Sequence, residues 1–251
     1  MPNNGNFILN LYPSTKFMLP LFITISIFLV PSYLYAYMML PLCIVIALIA
    51  GVAKQFLNLI VKGLLLLVLF IFIIQSVIAP GEEILWSWGI ISIKEEGVML
   101  SLTLTSRIVA IASAFLLFFR ITSIRDISQA LEKVGMSPKF SYAILATFQF
   151  IPEISKRSKV IMDAQKARGV ETEGSLLTRT KAFVPVLGPL VLSSIANTEE
   201  RAITLETRAF STKGKKTSLH KLHKTKTDMS IQILVIIFII FLAAGRVLIW
   251  N

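Results

Sequence analysis

Ala164-Gln165-Lys166-Ala167-Arg168-Gly169 returns in altered form as Thr204-Leu205-Glu206-Thr207-Arg208-Ala209, with the second arginine 40 positions after the first. Gly174 and Gly214 follow the two copies at the same offset. Both lie inside a long charged stretch, Arg120 to Asp228, whose excess of Lys and Arg over Asp and Glu supplies most of the chain's net charge of +11. What flanks that stretch is apolar enough for a bilayer. The reading of the fold turns on this contrast: a basic platform inserted between membrane spans.

The 251 residues are 55% hydrophobic, with a mean hydropathy of +0.76. That is too apolar for an ordinary soluble domain and points to an all-α polytopic membrane protein. The basic charge lies beside the spans, where a cytoplasmic Lys/Arg bias is expected, so a nucleic-acid partner is excluded. A single cysteine, Cys43, allows no disulfide framework and no thiolate metal site within the chain.

About 20 residues cross a bilayer. Phe17 to Ala53 carries no charge and fits two shortish spans broken at Pro31-Ser32, because proline cannot continue the helical ladder. Tyr12 to Lys16 is a turn-like lead-in with a cation at the membrane edge. Lys54 and Lys62 flank the next turn, and Gly63 to Gly81 is the third span. Glu82 to Glu96, acidic and holding Trp86 and Trp88, reads as an outer-face loop with a small interfacial helix. Gly97 to Phe119 is the fourth span and Met229 to Gly245 the fifth. Arg107, inside the fourth, is expected to fold toward headgroups or a helix partner. Charge places the amino terminus, the Lys54 turn and the basic region inside, and the tryptophan loop and carboxyl terminus outside. The divisions are 1–119, 120–228 and 229–251.

Within the platform, Ser123 to Val134 has apolar residues at helical steps and ends at Gly135. Phe140–Ile151 and Ala182–Ile195 are apolar but short. They read as interfacial, or else as a hairpin that raises five spans to seven. Each continues as a charged helix ending in Arg168 or Arg208, and Gly169 suits a left-handed C-cap. Lys213 to Lys226 is a basic linker suited to anionic lipid.

Several chemistries are missing. Ala209 to Thr217 is the nearest approach to a phosphate-binding loop. It lacks the first glycine and the final hydroxyl, and no strand precedes it. His220 and His223 stand among lysines without further ligands, so neither a metal nor a cofactor is expected. No acidic pair lies in a span. The two arginines remain. Either they complement helix dipoles, worth about 0.3–1 kcal/mol each, or, with small neighbours, they enter two similar carboxylate-bearing pockets.

On these residues the chain resembles the transmembrane T component of energy-coupling factor (ECF) transporters, vitamin and metal importers of prokaryotic cell membranes driven by two ABC-type ATPases. The resemblance rests on Pro13-Ser14-Thr15-Lys16, Arg107 in the fourth span, Leu131 to Pro138, Phe148-Gln149-Phe150-Ile151-Pro152 and Ala167-Arg168-Gly169. Thr207-Arg208-Ala209 keeps the second arginine but not its neighbours. The resemblance implies about five membrane helices with three coupling helices before the last. It implies a non-catalytic subunit with no cofactor, in which Ala167, Arg168, Gly169, Thr207, Arg208 and Ala209 meet two ATPases. It further implies that a substrate-binding S component rests on an apolar face, here Phe140, Ile144, Phe148, Ile151, Val186, Leu190 and Ile195. Two other readings stand beside it. One is a membrane enzyme or sensor using the Lys213–Lys226 cluster on lipid. The other is a permease domain holding substrate itself, for which the spans offer few polar groups beyond Arg107, Gln75 and Asn58.

Overall fold

The computed structural model describes residues 6–79, 83–88, 91–171, 174–212 and 224–249. The turn at Pro80-Gly81, Glu82, and most of the basic linker with His220 and His223 lie outside the described residues. Packing divides the chain into two units: Met1–Ala130 with Leu222–Asn251, and Leu131–Lys221.

The first unit is a membrane bundle. Helix α1 spans Pro13–Leu29 and α2 Tyr33–Ile49. Helix α3 (Ala53–Leu59), a π-helical segment (Ile60–Leu65) and α4 (Leu66–Ile78) run as one rod. Helix α5 covers Glu95–Ile121, and α9, at the end of the chain, Lys226–Ile249. Of these, α5, α9 and the rod ending in α4 are long and apolar enough to cross a membrane, and α1 and α2 are apolar helices of 17 residues each. The third expected span begins ten residues early, however. The turn lies at Ala50–Val52, where Gly51 takes a φ of +72°. Lys54 and Lys62 stand inside the rod, since both are good helix formers and no proline follows until Pro80. Between α4 and α5 the chain forms a two-stranded antiparallel hairpin, β1 (Ile84–Trp88) and β2 (Ile91–Lys94). The expected interfacial helix is therefore replaced by strands: Ile-Leu-Trp-Ser-Trp and Ile-Ser-Ile-Lys are runs of β-branched and aromatic residues, which favour the pleat.

Helix α5 is the centre of the bundle and packs on α1, α2 and α4. Its buried face is a row of small residues, including Gly97, Ser101, Thr105, Ala110, Ser113 and Ala114. Lipid offers no hydrophobic gain for helix association, so close backbone approach and interhelical hydrogen bonds must do the work. Ser76 and Ser101 share a 2.9 Å hydroxyl contact, and Tyr37 and Thr105 one of 2.8 Å. A Cβ on Gly97 would lie 3.0 Å from the Ser76 carbonyl oxygen.

Three helix ends close around two buried charges. Asp228 is 1% exposed and Lys16 4%. Asp228 Oδ1 accepts from the Tyr12 amide at 2.9 Å, and Oδ2 accepts from the Thr225 amide at 2.9 Å, capping the start of α9. Lys16 Nζ donates to the carbonyls of Leu9 (2.8 Å) and Ile121 (3.1 Å), the latter closing the end of α5. Each charge thus complements a helix dipole. Gln232 Nε2 adds bonds to Ser14 and Thr15 hydroxyls. Lys16 was expected at the membrane edge. It is buried because α1 starts already at Pro13 and turns the lysine inward onto these carbonyls. At the other end of α1, Arg246 donates to the Phe28 and Leu29 carbonyls, and Arg107 lies 5.5 Å over the Phe28 ring. Arg107 has therefore found a helix partner.

Removing one partner of a buried ion set costs about 3–5 kcal/mol, so Asp228→Ala is expected to lower the midpoint of thermal unfolding in detergent sharply. An unchanged midpoint would contradict the structural role. Gly97→Val should also destabilise, by about 1–3 kcal/mol through overpacking, whereas Gly63→Ala, whose Cβ meets nothing within 4 Å, should not.

Candidate coupling surface

The second unit is built on two long helices, α7 (Pro138–Ala167) and α8 (Leu176–Thr207), reached through α6 (Ile124–Lys133). Ser137 and Ser175 start α7 and α8 in the same way: each hydroxyl accepts from the amide three residues on, Phe140 or Thr178. The apolar runs are the first halves of these helices, and the charged segments the second.

The helices end alike. Arg168 and Arg208 occupy the C-cap positions, with φ and ψ of −87° and 5°, and −90° and 14°. Gly169 and Ala209 follow in the left-handed region, at φ +90° and +58°. The Gly169 amide donates to the Lys166 carbonyl (2.9 Å) and the Val170 amide to that of Gln165 (3.1 Å). The matching bonds at the second end run from Ala209 to Glu206 (2.9 Å) and from Phe210 to Leu205 (3.0 Å). This is the Schellman pairing at both ends. Ala167 and Thr207 are the last helical residues, and the side chains of both arginines are exposed.

The repeat does not converge on one site. Gln165 Nε2 donates to the Pro185 carbonyl at 3.4 Å, Arg157 Nη1 to the Ser193 carbonyl at 3.3 Å, and the Tyr142 and Phe210 rings are 5.2 Å apart. These pairings make α7 and α8 antiparallel. Arg208 therefore lies at the Tyr142 end and Arg168 at the other, about 26 residues or ~40 Å away along the pair.

At mid-length a charged cluster joins the helices. Glu153 accepts from Arg157 at 2.7 Å and, through its other oxygen, from Arg201 on α8. Arg201 also lies 4.4 Å over the Phe150 ring. Enclosure works against the Glu153 charge, but the Arg157 hydrogen bond and the charge of Arg201 outweigh it. The carboxyl is held below its usual range and stays ionised. Beside the cluster runs a groove of 320 Å³ that includes Thr147, Ile151, Ile154, Ser194 and Asn197. Only the i, i+4 spacing of Glu153 and Arg157 was visible in the sequence. Arg201 was not, because its partner lies 48 positions away on another helix.

Of the expected apolar contact residues, Phe140, Phe148, Ile151 and Ile195 are exposed, and Ile144 and Leu190 are half-buried. Val186 does not belong with them. It is 1% exposed, buried with Ala182 on the same helix, so it is not offered to a partner. By length and composition Thr180–Thr207 could itself cross a membrane. It is the least apolar helix of which this is true, and its second half is charged, containing Glu199, Glu200 and Arg201. Among the described residues no cluster of His, Cys, Asp or Glu could hold a metal ion.

Residues 5–221 match the model of the CbiQ family, described as a cobalt transport protein. The chain is 28% identical over 244 residues to the energy-coupling factor transporter transmembrane protein EcfT of Acidaminococcus fermentans, an alignment covering 93% of this chain and 90% of that protein. It is also 28% identical to the EcfT proteins of Ruminiclostridium cellulolyticum (90% of this chain, 88% of that protein) and Staphylococcus aureus (94% and 93%). The chain is thus a multi-pass bacterial membrane protein and belongs to the CbiQ/EcfT family, the transmembrane T components of energy-coupling factor transporters.

Proposed function

We propose that the chain is the force-transmitting subunit of an ATP-driven importer, catalysing nothing itself. Its two arginine-tipped helix ends dock into a pair of ABC-type ATPases. The observation that carries this reading is the arrangement of α7 and α8. Two helix ends of the same backbone shape, each presenting an exposed guanidinium, stand at opposite ends of one antiparallel pair. An antiparallel pair has an approximate two-fold axis across its middle. Two similar pockets on a two-fold pair of motor proteins would meet the two tips in equivalent ways. A guanidinium fits a carboxylate in such a pocket with two parallel hydrogen bonds. The distance of ~40 Å between tips suits separate subunits better than one small-molecule site.

The exposed apolar residues Phe140, Phe148, Ile151 and Ile195, with the half-buried Ile144 and Leu190, form the surface on which a membrane-embedded S component would rest. The transported vitamin, metal ion or similar micronutrient would be bound by that other chain. In this one the hydroxyls of Ser76, Ser101, Tyr37 and Thr105 are paired with one another, and Arg107 lies on Phe28 of α1.

Arg168→Glu and Arg208→Glu should each weaken co-purification of the ATPases. The double variant should lose uptake in whole cells by about tenfold or more, the loss of a charge-assisted pair at each tip. Ala209→Gly keeps the backbone path and should leave both measurements unchanged. A double variant that retains its ATPases and transports normally would refute the docking reading.

A further inference from the structure

The α7/α8 pair is held by little apolar contact. Its helices have 30 and 32 residues, yet among the described residues only Ala146, Ala182 and Val186 are buried apolar side chains along them. Polar ties do the rest, and they are evenly placed. Gln165, three residues before Arg168, donates to the Pro185 carbonyl. That carbonyl needs an outside donor, because Pro189, one turn on, has no N–H to offer it. Phe210, two residues after Arg208, packs on Tyr142. Between them stands the cluster of Glu153, Arg157, Arg201 and Phe150, with Arg157 also bonded to the Ser193 carbonyl.

We infer that Glu153 is the positioning residue of the coupling pair: its carboxylate, shared between Arg157 on its own helix and Arg201 on the other, fixes how α7 crosses α8 and so fixes the separation of the two arginine tips. The geometry makes Glu153 irreplaceable within the cluster. Among the described residues it is the acid that both guanidinium groups share, so without its charge Arg157 and Arg201 repel across the crossing. The ties near the tips are one long hydrogen bond of 3.4 Å and one ring contact, so the charged network at mid-length is the strong restraint on the angle between the two rods. A push at one tip then reaches the other as a rotation of the whole pair. With the middle tie gone, the same push is absorbed as a change of crossing angle. The inference rests on the docking reading only for its consequence in transport.

The test uses the full-length chain with Cys43→Ala, spin-labelled through cysteines placed at the exposed positions Ala164 and Thr204, one turn before each tip. The distance distribution between labels is measured in lipid nanodiscs. Glu153→Gln, and separately Arg201→Met, should broaden or shift it, and Glu153→Arg with Arg201→Glu should restore much of the parental width. In cells, Glu153→Gln should lower uptake by roughly tenfold, the factor that network couplings of this kind represent, while co-purified ATPase stays near the parental level. An unchanged distance distribution overturns the inference. So does a broadened one with full uptake, or a loss of ATPase co-purification to the level of Arg168→Glu. The distance measurement needs no ATPase, so if the arginine double variant keeps its ATPases and its uptake while the labels still respond to Glu153→Gln, it is the docking reading alone that falls.

Discussion

A carboxylate that water cannot reach holds the membrane unit together at one end. Asp228 satisfies both its oxygens on backbone amides, one of them 216 positions earlier in the chain. Lys16, beside it, gives two of its donors to the carbonyls of Leu9 and Ile121. Burying such charges is expensive unless every lone pair and proton is used. Here they are used on helix ends, where the backbone itself has unpaired groups. The consequence reaches the rest of the molecule. Ile121 is the last residue of α5, just before the coupling insert, and Thr225 is the residue before α9, just after it. The end of α5 and the start of α9, about 100 positions apart in the chain, are therefore held with the start of α1 at a single polar joint.

The two units are each held together by different contacts. In the bundle, lipid competes with no apolar contact, so α5 gains from glycine, serine and alanine, which shorten interhelical distances and let hydroxyls pair. In the coupling unit, long helices with mixed faces touch along a narrow line. Directional polar ties supply there what packing does not. Directional ties have a mechanical merit: they resist sliding and rotation, which a greasy interface tolerates. Under the proposed function, in which the chain hands a displacement from one partner to another, that resistance along α7 and α8 matters more than a large core.

Legibility in the sequence followed the range of the interaction. The spans, the breaks at Pro31 and Gly135, the left-handed Gly169 and the matched arginine ends were all readable, because each is fixed within a turn or two of chain. The burial of Lys16, the shared carboxylate of Glu153 and the donor that Gln165 lends to Pro185 were not. Their partners lie 105, 48 and 20 positions away, and nothing local distinguishes them from ordinary surface residues. The early start of the third membrane helix was obscured differently. Lysines read as boundaries when hydropathy is the guide, but a long aliphatic stem lets a lysine stay helical inside a span and carry its charge outward. The strands after α4 were obscured by length, as four or five residues between acidic groups carry too little period to separate strand from helix.

The departure of the second motif from the first is a departure in sequence and hardly one in shape. Alanine at φ +58° costs on the order of 1 kcal/mol that glycine would not. The strain persists because the residues around it determine the path: the Ala209 and Phe210 amides are both committed to carbonyls of the last turn, and the Phe210 ring is seated on Tyr142 at the start of the opposite helix. Phe210 thereby fills the position where a Schellman end usually takes an apolar contact. The first end has no such ring and uses glycine. Two solutions to the same backbone requirement, one conformational and one by packing, leave the guanidinium in the same place relative to its helix. What is repeated in this chain is accordingly the exit geometry of an arginine-capped helix, and the letters around it are free to differ as long as that geometry is met.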